Sequence, residues 1–472
     1  MIWILVFLLL YLVVNILTMG RFSLHQDEIL DWQGQATDTY LVAGRWGLYL
    51  FRTLMGEGSF LLCSGLIAGC FIAGAVWIQC ELLRFVSPVE KLLYGIFYMA
   101  SNQFASILEY SFMSDVVALG IFSLSLSLYQ WKNKRCYVSA ILLLTLSLSI
   151  YQTLGVYFYV LWALVMLREN SLSWRECKVF FLICIAALLL YAAGQWVVSY
   201  FVSVPQETID YVKNYQSSIT QWPMFKELDM SGKILFIAHY ALETVKSAFG
   251  IHNPQSLACA SACVPLVLLC VFIIRHYARN KALVYVLLLV SVWYLPFVFS
   301  LLMGVKMEER VQLAAPVRLA GLWTLAFVMC PVSKRWSTLL MVFSIFCLLK
   351  AAYTTSAHAR DVAYEYQHAV QELKSIYAKA EETALSHGLK DYDVVLLGCA
   401  PSASNVRDAA SPRLINSSIV HWYAKHYRLH GMKSMLTGHV EKYGAVYAQM
   451  PHWPHPDSVQ VYENRVIVRI TP

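Results

Sequence analysis

The chain has 472 residues, of which 58% are hydrophobic and only 14% are charged. Soluble domains carry about 25% charged residues, so this composition excludes a soluble globular protein and indicates an integral membrane protein. The formal charge of +7 does not indicate a nucleic-acid partner, because the lysines and arginines fall mostly in short loops between apolar runs.

Apolar runs recur from the N-terminus through the first three quarters of the chain. The hydrocarbon core of a membrane needs about 20 apolar residues per helix. The runs lie near 2–19, 59–80, 89–106, 114–130, 136–150, 153–168, 178–198, 257–275, 281–301, 314–330 and 337–352. They predict an all-α polytopic membrane protein with about eleven transmembrane helices.

Basic residues in alternate connections predict the orientation of these helices, because lysine and arginine are enriched in cytoplasmic loops. One set of connections carries thirteen of them: Arg84, Lys91, Lys132, Lys134, Arg135, Arg168, Arg175, Lys178, Arg275, Arg279, Lys281, Lys334 and Arg335. The opposite short connections carry only Lys306 and Arg310. We therefore expect a cytoplasmic N-terminus, a C-terminus outside the cytoplasm, and two outer loops at 20–58 and 199–256.

The longer of these loops, 199–256, contains a predicted helix. Its apolar residues recur at helical spacing. They are Ile234, Leu235, Ala238, Ala241, Leu242, Val245 and Phe249. We expect this helix to lie on the membrane surface.

The tail, 353–472, predicts a small α+β domain that follows a transmembrane domain over 1–352. A helix is predicted over 357–387, with its stop at Gly388. Its apolar face is formed by Val362, Tyr366, Ala369, Leu373, Ile376 and Ala380. The stretch "DVVLLG" predicts a buried strand, and "VQVYENRVIVRI" predicts a hairpin that turns at Glu463-Asn464.

Polar side chains that could carry chemistry gather at the outer ends of the predicted spans. They are Asp27, Glu28, Glu109, Asp115, Tyr151, Gln152, Lys306, Glu308, Glu309 and Arg310. Adjacent acids such as Asp27 and Glu28 are costly at a membrane boundary unless water, a cation or a substrate hydroxyl meets them. A carboxylate there can act as a general base, and an arginine can hold an anionic leaving group.

The residues of the first outer loop also have structural interpretations. Asp27 and Glu28 could be solvated loop acids, or they could cap a helix that begins near residue 29. Arg45 and Trp46 could anchor the chain at the membrane interface, or Arg45 could contact a donor phosphate. The sequence alone leaves both interpretations open for each pair.

The later candidates are equally ambiguous. Tyr151 and Gln152 could bond between helices, which is a common use of polar residues in membrane bundles. Glu109 and Asp115 could be loop or cap residues. Arg310 could bind phosphate, or it could pair with a neighbouring glutamate.

Histidines in the tail could suggest a zinc site. They are His421, His426, His430, His439, His452 and His455. No cysteine pairs accompany them and their spacing matches no recognised zinc pattern, so we expect no metal. We also expect no cofactor, and the lack of a glycine-rich phosphate loop argues against a nucleotide-sugar donor.

The order of several motifs resembles one known family. The motifs are the acidic pair in "QDE", then "GRWG", "LEYSFMSD", "SLSIYQTLGVYF" and "EERVQLAAPVR". Over roughly 1–330 the chain resembles the polytopic glucosyltransferases that decorate bacterial O-antigen, the serotype-converting type with the GT-C architecture. The acidic pair is Asp-Glu here, whereas Asp-Asp is the commoner form in such enzymes, so the base is either Asp27 or Glu28.

The resemblance implies a multi-pass enzyme of a bacterial inner membrane with a GT-C-like fold and a periplasmic tail. It implies transfer of a glucosyl or other hexosyl residue, with inversion and without a metal. The donor would be a polyprenyl-phosphate sugar lying among membrane lipid, and the acceptor a hydroxyl of a lipid-linked O-antigen or similar surface glycan.

The resemblance also implies roles for the candidate residues. Asp27 or Glu28 would take the acceptor proton. The residues expected to bind the donor phosphate or the substrate are Arg45, Arg310, Tyr151, Gln152, Glu109, Asp115 and Lys306. Two alternatives are a glycolipid flippase without bond chemistry and an O-antigen polymerase.

Overall fold

The computed structural model describes most of the chain. The described residues are 2–19, 36–55, 61–101, 111–206, 208–210, 212–213, 228–248, 261–298, 312–330, 333–397, 432–438, 449–451, 453–463 and 465–470. They divide into two compact units, of which the first ends at Ala359 and the second runs from Arg360 to Pro472.

The first unit is built from helices, and the last of them continues into the second unit. In chain order they are α1 (Ile2–Met19), α2 (Ala36–Val42), α3 (Trp46–Met55), α4 (Leu61–Leu82), α5 (Pro88–Met99), α6 (Ser111–Lys134), α7 (Tyr137–Ile150), α8 (Leu154–Glu169), α9 (Trp174–Phe201), α10 (Met230–Ala248), α11 (Cys263–His276), α12 (Arg279–Tyr294), α13 (Ala315–Met329) and α14 (Lys334–Ser386). A short 3-10 helix, Leu295–Phe297, follows α12. Each apolar run identified in the sequence overlaps a helix, which confirms that these runs are helical.

Several of these helices are suited to a membrane. Five segments of the described chain are long and apolar enough to cross one: Cys63–Leu82, Met113–Lys134, Trp174–Phe201, Arg279–Phe297 and Arg335–Ala357. Shorter apolar helices are Ile2–Ile16, Tyr137–Ile150, Cys263–His276 and Ala315–Met329. The structure therefore supports a helical membrane protein, and the count of eleven spans stays a prediction.

Helix boundaries follow local signals in the sequence. The Ser87 side chain accepts a hydrogen bond from the backbone and the Glu90 carboxylate accepts one from the Ser87 amide, which together form a capping box, and Pro88 opens α5. The Ser173 hydroxyl accepts from the Glu176 amide at the start of α9. Asn170 adopts a φ of 51° and ends α8.

Two exposed tryptophans lie near the two ends of α9. Trp174 at one end and Trp196 near the other are 74% and 71% exposed, and the leucines between them face outward. The two tryptophans are 22 residues apart, which at 1.5 Å per residue gives about 33 Å, close to the thickness of a hydrocarbon core of about 30 Å. Because tryptophan favours the headgroup level, we expect one membrane boundary near Trp196, at the end of α9.

One end of the helical bundle is held by a chain of ion pairs. Glu169 at the end of α8 binds Arg84 at 2.6 Å and Lys132 at 3.3 Å. Glu176 at the start of α9 binds Lys132 at 3.3 Å and Arg135 at 3.8 Å. We call this end, defined by these five residues, the charged end. The membrane side that it faces stays a prediction.

The opposite end of the bundle carries the sequence-predicted site residues that the structure describes. Asp115 precedes Lys132 by 17 residues on α6, and Gln152 precedes Glu169 by 17 residues. At 1.5 Å per residue this separation is about 25 Å. We call this the turn end, after the turn Ala43–Gly47, whose Ala43 carbonyl accepts a hydrogen bond from Gln152.

The helix predicted in the long loop is α10, and it packs by a different side from the apolar face identified in the sequence. Tyr240, Thr244 and Ala248 are buried. Ile234 and Leu235, which belong to the predicted face, are 63% and 70% exposed. The placement of that face on a membrane surface stays a prediction.

The last predicted span and the tail helix are one helix, not two. The segment Lys334–Ser386 runs through 53 residues without a break. The reason is visible in the sequence, because neither glycine nor proline occurs from Lys334 to His387. Gly388, the predicted stop, has a φ of +69°, and the Leu389 amide donates to the Ala384 carbonyl at 3.0 Å, which closes the helix.

The second unit packs the end of α14 against a four-stranded sheet. The strands are β1 (Tyr392–Leu397), β2 (Met432–Gly438), β3 (Val459–Tyr462) and β4 (Arg465–Arg469), in the order β2-β1-β4-β3. β1 is parallel to β2 and β4, and β3 is antiparallel to β4. The strand in "DVVLLG" and the hairpin after it are therefore confirmed, with Glu463 at a φ of 55° in the turn.

The core of this unit lies between helix and sheet. It contains Leu373, Ile376, Tyr377, Ala380, Ala384, Tyr392, Val394, Leu396, Val459, Val466, Val468 and Ile470. Leu373, Ile376 and Ala380 belong to the predicted apolar face of the helix. The side chains of the other three members of that face, Val362, Tyr366 and Ala369, lie outside the described residues.

Candidate active site

The turn Ala43–Gly47 joins α2 to α3 at the turn end of the bundle. The Gly44 amide donates to the Leu41 carbonyl at 3.0 Å, and the Arg45 amide donates to the Tyr40 carbonyl at 2.8 Å. Gly44 has a φ of +80°, which glycine adopts without steric cost. The turn therefore ends α2 sharply and starts α3 at Trp46.

Two side chains, Tyr191 of α9 and Gln152 of the turn between α7 and α8, hold the carbonyls of Ala43 and Gly44. The Tyr191 hydroxyl donates to the Gly44 carbonyl at 2.8 Å. The Gln152 Nε2 donates to the Ala43 carbonyl at 3.0 Å and to the Tyr191 hydroxyl at 3.1 Å. We call Gln152 and Tyr191 the clamp. A Cβ on Gly44 would lie 2.7 Å from the Tyr191 hydroxyl, so the close approach also requires glycine.

The rest of the turn is packed just as closely. The Trp46 indole N–H donates to the Tyr191 carbonyl at 3.1 Å, and its ring lies where a Cβ on Gly194 would be 2.6 Å away. A Cβ on Gly47 would lie 2.0 Å from the Ser149 hydroxyl. Because indole has one N–H, Trp46 has none left for a ligand, and it anchors the turn to α9.

Arg45 lies over an aromatic ring at the surface of this turn. Its guanidinium carbon is 4.4 Å from the centroid of the Tyr151 ring, which is 5% exposed. Such a cation–π contact orients the guanidinium plane. Among the described residues, no carboxylate lies within ion-pair distance of Arg45. Within the described part of the chain, Arg45 is a half-buried cation with no anion beside it.

Asp115 forms a buried ion pair with Arg52, two turns along α3 from Arg45. The Arg52 guanidinium lies 2.6 Å from Asp115 Oδ1, and the side chains are 3% and 9% exposed. The same Oδ1 accepts from the Val116 amide at 2.9 Å. Asp115 is therefore a link between α3 and α6 and not a loop or cap residue.

The structure thus brings together some of the predicted site residues. Arg45, Tyr151 and Gln152 lie together at the turn. Asp115 holds α3, the helix after the turn, through its ion pair with Arg52. The other five predicted site residues lie outside the described residues. They are Asp27, Glu28, Glu109, Lys306 and Arg310.

Three residues that bind other groups at the turn end were not predicted from the sequence: Arg52, Tyr191 and Gln195. Arg52 carried a signal, because it lies seven residues after Arg45 and so on the same face of α3. Gln195 donates to the Leu41 carbonyl at 2.9 Å and so holds the end of α2. Tyr191 and Gln195 carried no local signal, since they act on backbone groups about 150 residues away.

Arg318 is a further buried cation, and it closes the motif "EERVQLAAPVR". It is fully buried, and its Nη1 donates to the carbonyls of Ala248 at 3.0 Å and Trp293 at 3.2 Å. These carbonyls lie at the C-terminal ends of α10 and α12, where the helix dipole favours a cation. Its guanidinium also lies 4.6 Å from the Phe297 ring centroid, so Arg318 ties three elements together.

Asp38 is the one acid of the first outer loop, 20–58, that lies among the described residues. It lies in the first turn of α2 and is half-buried. Partial burial raises the pKa of its carboxyl above the ordinary value.

The described part of the chain contains few side chains of the types that bind metal ions close to one another. No group of three His, Cys, Asp or Glu side chains there could hold a metal ion. Of the six tail histidines, only His455 is described, and its Nδ1 accepts from the Asp457 amide at 3.2 Å.

Comparison with known proteins gives one match. A family model described as Glucosyl transferase GtrII matches residues 17–349, which is more than two thirds of the chain. The matched range contains the turn, the clamp, the Arg52–Asp115 pair and Arg318. No curated protein and no solved structure matches the chain significantly.

Proposed function

The chain belongs to the glucosyl transferase GtrII family, and from this premise we propose a specific reaction for it. A glucosyl residue passes from a polyprenyl-phosphate donor to a hydroxyl of a lipid-linked O-antigen or similar surface glycan, with inversion. The reaction takes place on the periplasmic side of a bacterial inner membrane. Family membership makes the chain a glycosyltransferase, which favours this reaction over transport by a flippase.

The observation that carries the proposal is the position of Arg45. Its guanidinium is oriented by Tyr151, and no carboxylate among the described residues neutralises it. The turn that holds it packs on Gly194, two residues from the boundary tryptophan Trp196. A lipid phosphate lies at this headgroup level, and arginine matches its oxygens with two parallel N–H donors.

The proposed chemistry needs one base and at least one cation. The acceptor hydroxyl oxygen attacks the anomeric carbon while the bond from that carbon to the phosphate oxygen breaks. The hydroxyl proton passes to the carboxylate of Asp27 or Glu28, and the bonding electron pair leaves on the lipid phosphate. Arg45 stabilises the phosphate as its charge develops.

The remaining candidates have supporting roles in this proposal. Arg310 and Lys306 supply further positive charge to the phosphate, and Glu109 contacts a sugar hydroxyl. Tyr151 orients the Arg45 guanidinium through the cation–π contact with its ring. Gln152 and Asp115 act through the backbone of the turn and through Arg52, because the Gln152 amide nitrogen and the Asp115 Oδ1 are already engaged.

The proposed topology completes this account. The charged end faces the cytoplasm, and both the turn end and the domain 353–472 face the periplasm, where that domain shapes access of the acceptor. A reporter fused after Pro472 should be active only outside the cytoplasm. A fusion active in the cytoplasm would place the turn end on the wrong side and refute the reaction as written.

The reaction itself is tested with purified protein in vesicles that contain polyprenyl-phosphate glucose and a lipid-linked glycan. We expect the glycan to gain one hexose per repeat by mass spectrometry, with release of polyprenyl phosphate. A polymerase would instead change glycan length, and a flippase would change neither. Absence of both transfer and donor hydrolysis with every acceptor tested would refute the proposal.

A further inference from the structure

The clamp acts on the backbone of the turn, and the backbone carries Arg45. The three hydrogen bonds among Gln152, Tyr191 and the carbonyls of Ala43 and Gly44 measure 2.8 to 3.1 Å. They hold the two peptide groups directly before Arg45. Since Gly44 lacks a Cβ and has a φ of +80°, its backbone could adopt many other conformations without an external restraint.

We infer that Tyr191 and Gln152 are positioning residues, which fix the Arg45 guanidinium over the Tyr151 ring and so set the site for the donor phosphate. This inference rests on the proposed role of Arg45 in donor binding. Neither clamp residue needs to touch the donor, because the Gln152 amide nitrogen and the Tyr191 hydroxyl proton are both used inside the clamp.

The surroundings of Tyr191 support a specific role for its hydroxyl. Its neighbours Leu189 and Leu190 are 67% and 43% exposed, which makes this part of α9 a lipid-facing surface. A phenylalanine would satisfy an apolar surface equally well. The role of the hydroxyl is instead to bind the turn: it donates to the Gly44 carbonyl and accepts a hydrogen bond from Gln152.

The variant Tyr191→Phe removes this hydroxyl and keeps the ring. The Trp46 bond to the Tyr191 carbonyl is a backbone interaction and persists. Of its two hydrogen bonds, the one to the Gly44 carbonyl acts on the turn directly, and loss of that bond corresponds to about a three- to tenfold change in an equilibrium. We expect hydrogen–deuterium exchange of the Gly44 and Arg45 amides to rise by about that factor, and donor kcat/KM to fall by a similar factor. The acceptor KM should not change.

A matched control is Tyr159→Phe, which removes the hydroxyl that bonds Ser291 at 2.6 Å between α8 and α12. Tyr159 is also partly buried, but it makes no contact with the turn in the described structure. We expect this variant to leave exchange at Gly44 and Arg45 unchanged. Equal effects of the two variants would mean that any lost tyrosine bond loosens the turn, and the inference would fail.

Combination with Arg45→Gln separates positioning from general stability. If Tyr191 acts through Arg45, adding Tyr191→Phe to Arg45→Gln should lower donor kcat/KM no further. A further three- to tenfold loss in that background would refute the inference. A merely structural residue would lower activity by the same factor in both backgrounds.

The outcomes distinguish this inference from the proposed function. Inactive wild-type protein would refute the proposed function, while amide exchange in Tyr191→Phe would still test the clamp. Active wild-type protein with unchanged exchange and unchanged donor kcat/KM in Tyr191→Phe would refute the clamp alone. Increased exchange at the turn, together with a fall in donor kcat/KM that Arg45→Gln abolishes, would support both.

Discussion

The two ends of the helical bundle hold their polar groups in different ways. At the charged end, Arg84 and Arg135 are 71% and 61% exposed, and each pairs with a glutamate that has another partner. At the turn end, Arg52 and Asp115 form one pair that is almost completely buried. The exposed arginine pairs of the charged end therefore have less energetic weight than the buried pair of the turn end, while Lys132 and Glu169 of the charged end are themselves only 7% and 11% exposed.

The difference shows which end tolerates change. Exposed ion pairs contribute about 0–1 kcal/mol each, because solvent screens them and partners can be exchanged. A buried pair that loses one partner leaves an uncompensated charge. In the clamp, each donor has a specific acceptor, so a substitution there removes identifiable hydrogen bonds. The turn end is where a geometrically demanding reaction can be supported.

The largest expected effect concerns the base of the proposed reaction. Asp27→Asn keeps the shape of the side chain but cannot take a proton at neutral pH. General-base catalysis contributes about 10²–10⁴-fold, so if Asp27 is the base the transfer rate should fall by that order while donor binding persists. The measurement is the rate of glucose transfer in vesicles, with the amount of inserted protein held equal.

Glu28→Gln is the companion variant, because either acid of the pair is a candidate. One of the two variants should show the large loss and the other a small one. A helix-capping acid would behave differently, since asparagine caps a helix about as well as aspartate. Near-wild-type transfer by both single variants and the double variant would exclude this pair as the base.

The next largest effect tests the buried pair of the turn end. Asp115→Ala leaves the Arg52 guanidinium buried without its carboxylate, which should lower the free energy of unfolding by about 3–5 kcal/mol. The apolar double variant Arg52→Met with Asp115→Leu should recover much of this loss, because it buries no charge. Both are measured by reversible unfolding in mixed micelles. A loss below about 1 kcal/mol for Asp115→Ala would mean that water reaches the pair.

The matching variant at the charged end should have a small effect. Arg135 is mostly exposed and lies 3.8 Å from Glu176, which keeps Lys132 as a second partner. Arg135→Gln should therefore change the free energy of unfolding by less than about 1 kcal/mol. A loss as large as that of Asp115→Ala would erase the distinction between the two ends.

The smallest effect is a pH dependence at the turn end. Burial raises the pKa of Asp38 in the folded protein, so the folded state binds more protons than the unfolded state between the two pKa values. Stability should therefore rise as the pH falls through the folded pKa. Asp38→Asn should have a slightly higher Tm at pH 7 and no advantage below the ordinary pKa of aspartate. A higher Tm for the wild type at pH 7 would reverse the sign and contradict the burial argument.

Local signals in the sequence predicted much of the secondary structure. The apolar runs give the helices, Gly388 ends α14, and the turn at Glu463 joins β3 to β4. The continuous helix from Lys334 to Ser386 was the main error, because separate helices were predicted at 337–352 and 357–387. Helix continuity depends on backbone breakers, and this segment has none.

Long-range pairing was not predictable from one sequence. The parallel pairing of β1 with β2 and β4 joins strands that are far apart in the chain. The clamp likewise joins Gln152 and Tyr191 to Ala43 and Gly44, with separations of 109 and 147 residues. Such contacts depend on tertiary packing and leave no periodic pattern in the sequence.

The site was therefore predicted by residue type more than by role. Arg45 and Tyr151 were identified, but their cation–π contact was not. Gln152 was identified as a polar residue between helices or at a substrate, and the structure gives its amide nitrogen two protein partners. Asp115 was predicted either to bind substrate or to be a loop or cap residue, whereas its partner Arg52 makes it part of the buried framework.

The central claim is that the turn end binds the lipid phosphate of the donor, and one binding measurement tests it most directly. The affinity of purified protein for polyprenyl phosphate in vesicles is compared between Arg45→Gln and the matched charged-end variant Arg84→Gln. Loss of a charge-assisted contact of about 1.5–3 kcal/mol should weaken binding by about ten- to a hundredfold in Arg45→Gln. Arg84→Gln should bind as the wild type does. Equal affinities for both variants, or a loss confined to Arg84→Gln, would contradict the account.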